Sequence, residues 1–371
     1  MKIKTDVHSL REAINKILSV VDKKNSRPIL TYALITTSGN GLEISATDLE
    51  VSAKVKVNAS SDSHGSFCVN AKNISDILRE LPDNELILSL DESENLLNID
   101  CGNIHFSVLI HKNEDFPQLY FGDIKNSFTI ESRSIINLIN KTSYAISSDE
   151  TRLFLNGIFL QYADSKLRAV ATDGHRLSLF DTELTAKPTD YLLNGIILPK
   201  KGVQELKKLA ESYPDSVMNI SVDESFIYAN VDDYYFISAR LIAREYPKYQ
   251  AVIPSKTSYS LSLEKSKFSE AIKRIKTMSN EKSNGVRVRL GNKKMSIAAN
   301  DPSKGEAEQP LDIDYTGKEL EIRFNAKYLL ESLSVLEDED ISIDFNNEIS
   351  PVVLKSTKDH NYLGIIMPLK M

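Results

Sequence analysis

The sequence predicts an α+β protein in which a unit of two helices and several strands occurs three times. Three observations carry this. The pattern Ala-x-Asp recurs as "ATDLE" at 46–50, "ATDGH" at 171–175 and "ANDPS" at 299–303, at intervals of 125 and 128 residues, close to one third of the 371-residue chain. A second series keeps step with it: "VNAKNISDILREL" from 69, "LPKKGVQELKKLA" from 198 and "FNAKYLLESLSVL" from 324 each set a lysine ahead of an apolar helical stripe. The third series is another amphipathic stretch placed earlier in each third.

In the first third, Val7, Leu10, Ile14, Ile17, Leu18 and Val21 recur at i, i+3, i+4 and i+7 and predict a helix over 8–24. Ile74, Ile77, Leu78 and Leu81 predict a second over 70–81. The middle third repeats the pair, with Ile135, Leu138, Ile139, Ala145 and Ile146 in 131–147 and Val203, Leu206, Leu209 and Ala210 in 199–212. In the last third, Phe268, Ala271, Ile272, Ile275 and Met278 mark 264–278, and Leu329, Leu330, Leu333 and Leu336 mark 325–338. Each stripe gives one buried helix face. Segments such as "ELILSLDES", "LLNID", "HFSVLI", "FIYANVDDYYFISARL" and "ISIDF" alternate or run apolar with β-branched and aromatic residues and read as strands. The prolines and polar residues of "DFPQLYFGDIKNS" and "EYPKYQAVIPSKTS" suit linkers, each with an aromatic followed by proline. The domains expected are 1–124, 125–253 and 254–371.

With 41% apolar and 26% charged residues the composition is that of a globular protein. No apolar run approaches the roughly 20 residues of a membrane helix, and "MKIKTDVHSLREAINKIL" lacks a secretory apolar core, so no membrane association and a cytoplasmic location are expected. Cys68 and Cys101 have no cysteine or histidine partners at zinc spacing and read as buried thiols.

The stretch "VATDGHRLSLF" at 170–180 sets Asp173, His175 and Arg176 side by side. Asp48 and Asp301 hold the repeat position of Asp173 without a histidine two residues on, so the aspartate is expected to bond nearby backbone amides in a turn. His175 and Arg176 are then the additions of the middle copy, and lining a binding pocket suits them better than catalysis. No G-x-S-x-G, H-E-x-x-H, Walker-type or G-x-G-x-x-G motif is present, and His105 and His111 are too isolated to propose a metal. No catalytic residue, cofactor or metal is expected.

The net charge of −7 argues against a surface that coats an acidic polymer. The six predicted helices nevertheless sum to +6 and leave −13 elsewhere. Such segregation presents a positive face to phosphates, although helix surfaces also collect lysines without a partner. No basic aromatic stripe or recognition helix stands out, so any nucleic-acid contact is expected to be independent of sequence.

With "SATDLE" at 45–50, "LNG" at 155–157, "VATDGHRL" at 170–177, "LPKKGV" at 198–203, "SNEK" at 279–282, "YTGKELEI" at 315–322 and the terminal "MPLKM", the chain resembles the beta subunits of bacterial DNA polymerase III, the replicative sliding clamps, over its entire length. The resemblance implies three clamp domains, each with two inner helices and outer antiparallel sheets, and a head-to-tail homodimeric ring around double-stranded DNA. The link to DNA would be topological and non-catalytic. The partners implied are the polymerase III alpha subunit, the clamp loader, which would supply ATP use, and other proteins with a clamp-binding motif.

By position, the resemblance implies a peptide-binding cleft between the second and third domains. It would comprise Leu155, Thr172, Gly174, His175, Arg176, Leu177, Pro247, Val252, Asn325 and Tyr328, with a terminal strand of Ile365, Ile366, Met367, Pro368, Leu369, Lys370 and Met371. Apolar groups there would bury a ligand's leucine and aromatic side chains, while polar and charged groups orient it. Lys24, Lys72, Arg152, Lys200 and Lys201 are the implied DNA contacts, with Arg27 added by neighbourhood. Phe106 and Val108 of one chain would meet Thr277 and Met278 of the other. Thr277, Leu153, Phe154, Ala251 and Ser283 depart from residues familiar in relatives. Two alternatives stay open: a hydrolase using Asp173 and His175, and a repeat scaffold that binds only proteins.

Overall fold

The computed structural model describes residues 1–21, 27–38, 41–91, 93–122, 127–184 and 190–370. Among them are α1 (Val7–Ile17), α2 (Ala71–Glu80), α3 (Ser132–Thr142), α4 (Asp190–Asn194), α5 (Lys200–Ser212), α6 (Lys265–Lys276) and α7 (Ala326–Ser334). Six of these are the predicted pairs; the short α4 was not anticipated. At three helices that follow directly on a strand, the last strand residue supplies a side-chain cap, whereas Glu264 before α6 makes none. Asp6 accepts from the Ser9 amide, Asn70 from Asn73, and Asn325 from both Lys327 and Tyr328.

Helix α1 ends at Ile17, short of the predicted 24, although Val20 and Val21 are still buried. Its last carbonyls are taken from outside. The Lys208 ammonium donates to the carbonyls of Asn15 and Lys16 and to the Ser19 hydroxyl, and Tyr235 Oη donates to the same Lys16 carbonyl. Lys16 in turn lies over the rings of Tyr213 and Tyr234, 5.0 Å from each centroid. Glu205 completes the cluster by accepting from Ser19. Burial pushes its carboxyl up and the Lys208 ammonium down. Inward, Leu10, Ile14 and Ile17 are fully buried, contributing about 1.5–3 kcal/mol each.

The chain falls into two compact units, 1–135 with 201–241, and 136–200 with 242–371. The strands of the middle third are divided between them. The first unit holds one 13-stranded sheet, and the second an 8-stranded and a 4-stranded sheet. Among the described residues every pairing is antiparallel, both at hairpins and where distant strands meet.

One pairing in each unit joins one third of the chain to the next. In the first unit, Val51–Asn58 pairs with Tyr235–Arg240, from Val51 opposite Ala239 to Val55 opposite Tyr235. In the second, Arg176–Glu183 pairs with Tyr362–Ile366, from Arg176 opposite Ile366 to Phe180 opposite Tyr362. Both joints place the strand after an Ala-x-Asp turn against the last strand of the following third. The remaining members of this series are edges. Among the described residues, Gly305–Asp312 pairs only with Lys294–Asp301. Ile104–His111 is paired along Leu96–Cys101, but on its other side only Ile110 and His111 are met, by Ser66–Asn70.

The segment predicted as the second linker is partly core. Tyr246 and Tyr249 are buried, and Tyr246 stacks on Phe159 with centroids 4.7 Å apart. Phe116, the corresponding aromatic before proline in the first linker, is buried too. Cys68 and Cys101 are free, buried thiols, and burial raises the Cys68 thiol to about 12.

Candidate functional site

The three repeat aspartates hold related turns, the third one residue longer between its paired strands. Asp48 Oδ1 accepts from the amides of Glu50 and Val51, Asp173 Oδ1 from His175 and Arg176, and Asp301 Oδ1 from Ser303. Thr172 Oγ1 adds a bond from the Gly174 amide, as Thr47 does from Leu49. Gly174 sits at φ +88°, where glycine carries no Cβ penalty; its repeat counterpart is Leu49 at φ +78°.

Arg176 is 7% exposed and holds this turn to its surroundings. It donates to Asp173 Oδ2 at 3.0 Å, to the Tyr144 carbonyl at 2.6 Å and to Glu331. The guanidinium also lies over the Tyr328 ring at 4.5 Å and the Tyr144 ring at 5.2 Å. The expectation that this charge orients a ligand is therefore corrected: its donors are committed to the protein, and it positions the wall instead. The carboxylate of Asp173 is likewise committed to two amides and to Arg176. The His175 ring stacks on Tyr328 at 6.0 Å. Arg176→Gln should lower stability by about 3 kcal/mol, measured by denaturant titration, because it leaves the largely buried Asp173 carboxylate without its cation, whereas Glu331 keeps Lys327.

Around this turn the second unit assembles the predicted cleft residues. Leu155, Leu177 and Ile365 are buried in one cluster with Phe159, Val170, Tyr246 and Tyr249, and so form its floor. Leu155 is thus core, whereas Val252 is 43% exposed and not a packing residue. Pro247, Gly174 and His175 are exposed, while Thr172, Asn325 and Tyr328 are half-buried. The terminal strand ends at Ile366 rather than continuing to 371. Beyond it the tail is pinned twice. The Met367 amide donates to the His175 carbonyl and the Leu369 amide to the Arg323 carbonyl, both at 2.8 Å. Met367, Pro368 and Leu369 are left half-buried and Lys370 exposed, and Met371 lies outside the described residues. Residues that sequence reasoning missed here are Tyr144, Glu331, Tyr246 and Tyr249. An aromatic preceding proline was the available signal for Tyr246.

The cations assigned to DNA divide. Lys24 lies outside the described residues. Arg27 and Lys200 are exposed, and Lys72 is 81% exposed, spanning one helical turn to Asp76 at 2.7 Å. Lys201 is held by the turn residue Asp48. Arg152 pairs with Asp149 at 2.8 Å and stands beside Gly174, where an added Cβ would be 3.0 Å from its Nη1, so it borders the cleft wall. The Thr151 hydroxyl and amide, together with Arg152, hold the Asp149 carboxyl down at about 2. That turn is thus secured above about pH 4 and loosens as pH falls toward 2.

Phe106 and Val108 are half-buried on the open edge of Ile104–His111. Met278 is half-buried and its methyl borders the start of the other open edge, 3.5 Å from a Cβ placed at Gly305. Thr277 is exposed and donates its hydroxyl to the Arg274 carbonyl. Among the described residues no three His, Cys, Asp or Glu side chains gather as metal ligands, and no helix is long and apolar enough to cross a membrane.

Comparison with known proteins matches three family models in order. The DNA polymerase III beta subunit N-terminal domain covers residues 1–120, its central domain 129–248 and its C-terminal domain 250–370. The beta sliding clamp of Vibrio cholerae is 30% identical over 372 residues, with all of both chains covered, and that of Caulobacter vibrioides is 30% identical over 376 residues at the same coverage. The crystal structure of the DNA polymerase III subunit beta from Pseudomonas aeruginosa superposes with a TM-score of 0.94 at 28% identity, covering both chains fully. That from Bartonella birtlesii, bound to griselimycin, gives 0.93 at 31% and the same coverage. A chain with this repeat, these turns and these relatives belongs to the DNA polymerase III beta-subunit family, the bacterial sliding clamps.

Proposed function

We propose that this DNA sliding clamp works as a ring of two chains joined head to tail around duplex DNA, with domains 1–124, 125–253 and 254–371, and that it tethers a replicative polymerase without catalysing a reaction itself. The observation that carries the reading is the pair of open strand edges. Strands equivalent to Gly305–Asp312 and Ile104–His111 are paired twice within the chain. Among the described residues, Gly305–Asp312 of the last third and Ile104–His111 of the first keep theirs open. One further copy supplies both missing partners, and two copies close the arrangement. Phe106 and Val108 lie on one of these edges and Met278 borders the other, and these with Thr277 at the end of α6 are the proposed contact.

An acidic chain can hold DNA in this way because a topological link needs little binding energy. Lys24, Arg27, Lys72 and Lys200 are the proposed phosphate contacts, Lys201 being held by Asp48, and Arg152 serves both there and at the cleft. Such contacts position the duplex without reading bases. The cleft takes short peptides of the polymerase alpha subunit, the clamp loader and other partners, with Val252, Pro247 and the tail as its apolar surface over the buried Leu177 and with His175, Asn325 and Tyr328 at its rim. The chain needs no cofactor and works in the cytoplasm. Sedimentation should give about twice the chain mass of 41.6 kDa. A single-chain mass at micromolar concentration would instead favour a scaffold that binds only proteins.

A further inference from the structure

The register of the two joints inside the chain transfers to the open pair. Ser52 faces Thr47, Leu177 faces Thr172 and Glu306 faces Asn300 across the repeated turns, which makes Val51, Arg176 and Gly305 equivalent. On the other side, Asp6 faces Glu85 as Glu131 faces Val217. Ile87 then faces Asp100 as Asn219 faces Asn230, and Asp100 faces His105 as Asn230 faces Phe236. His105 is therefore the counterpart of Phe236, and Val108 that of Ala239. Applied to Val51 opposite Ala239 and Lys54 opposite Phe236, these equivalences set Gly305 against Val108, Glu306 against Ser107, Ala307 against Phe106 and Glu308 against His105.

Burial agrees with this register at three of its four pairs, the exception being the exposed Gly305 at the start of the strand, set against the half-buried Val108. Residues that face each other across a joint share a sheet face. Phe106 is half-buried, as is Ala307, whereas His105, Ser107, Glu306 and Glu308 are all exposed. A shift by one residue would set half-buried side chains against exposed ones.

His105 already faces two acceptors in its own subunit. Its Nδ1 is 2.6 Å from Asp100 Oδ1 and its Nε2 is 3.2 Å from Ser107 Oγ. The Ser107 hydroxyl donates its proton to Asn98 Oδ1 at 2.6 Å, so it turns a lone pair toward the imidazole. Only the imidazolium satisfies both contacts. Across the joint stand Glu308, which accepts from Ser296 and lies within reach of the Arg289 charge in its own sheet, and Glu306.

We infer that His105 and Glu308 of the partner subunit form a proton-dependent latch at each ring joint, with the protonated imidazole held between Asp100 of its own subunit and that glutamate. The inference rests on the head-to-tail reading above. A neutral imidazole leaves the Asp100 and Glu308 carboxylates on either side of the His105 strand with no cation between them, and such like charges repel. Association therefore takes up protons, and acid favours the ring.

The test is the dimer dissociation constant of the full chain, measured by sedimentation at fixed ionic strength across the histidine range, about pH 5–8. With one such pair at each of two joints, the constant should rise about tenfold from the acid to the alkaline end. His105→Gln should flatten the profile, and Glu308→Gln should reduce its slope. A dimer whose profile is already flat in the wild type, or keeps its slope in His105→Gln, overturns the latch while leaving the ring. A chain that stays single at every pH overturns the ring itself, and the latch with it. The register has its own check: Ser107→Cys with Glu306→Cys should oxidise to covalent dimers. Preferential cross-linking of Ser107→Cys with Ala307→Cys would overturn it.

Discussion

Phe106→Asp is expected to turn the ring into single chains. Phe106 is half-buried on an edge whose main-chain groups are open from 104 to 109, and the transferred register sets it against Ala307. A charge there must be desolvated against an apolar face. Loss of a central aromatic anchor costs about 2 kcal/mol or more. The ring has two such joints, so the dimer dissociation constant should rise roughly a thousandfold. Both internal joints are untouched by the change, so the melting temperature should stay near that of the parent chain. Sedimentation at micromolar concentration reads the outcome directly, and a dimer that persists unchanged would place the interface elsewhere.

Removal of residues 367–371 is expected to abolish peptide binding and leave the ring intact. The strand Tyr362–Ile366 carries the pairing to Arg176–Phe180 and stays in place. What is lost is the tail beyond it, held by the Met367 and Leu369 amides and offering the half-buried Met367, Pro368 and Leu369 as one apolar wall. Two or three such side chains, at about 1 kcal/mol or more each, correspond to at least roughly a hundredfold loss in affinity. Fluorescence anisotropy with a labelled peptide carrying a leucine and an aromatic residue reads this loss. Unchanged affinity would show that the tail is not part of the cleft. A fall in dimer mass would show instead that the tail supports the ring.

The helices were legible because burial imposes a period that the apolar residues must follow; the stripe of α1 through Leu10, Ile14 and Ile17 is fully buried as predicted. The turn aspartates were legible for a different reason. An Asp side chain bonds amides two and three residues on, so its role is local in sequence. What could not be read were contacts between distant residues. Lys16, Lys141 and Lys208 were counted as cations on helix faces, yet Lys16 lies over two tyrosine rings, Lys208 binds the last carbonyls of α1, and the buried Lys141 donates to the Val335 carbonyl at 2.5 Å. Lys201 is committed to Asp48 in the same way. Nothing local distinguishes such a lysine from a solvated one.

The cleft shows the same division. Thr172, His175 and Leu177 could be marked because the family motif covers them. The inward commitment of Arg176 could not, because its partners Tyr144 and Glu331 come from helical segments on either side in sequence. The ring joints were legible only as residues such as Phe106. That one strand edge of the series is left open at each end of the chain depends on pairing across thirds, which strand alternation does not encode.

Topological attachment is read from retention on a circular DNA. The clamp is loaded onto a nicked circle with a cognate loader and ATP, washed in high salt, and assayed before and after a single cut. Salt weakens phosphate contacts but does not break a closed link. The account predicts that the protein stays on the intact circle and leaves when the circle is cut. Loss from the intact circle after confirmed loading, or equal retention on cut and uncut DNA, would contradict it.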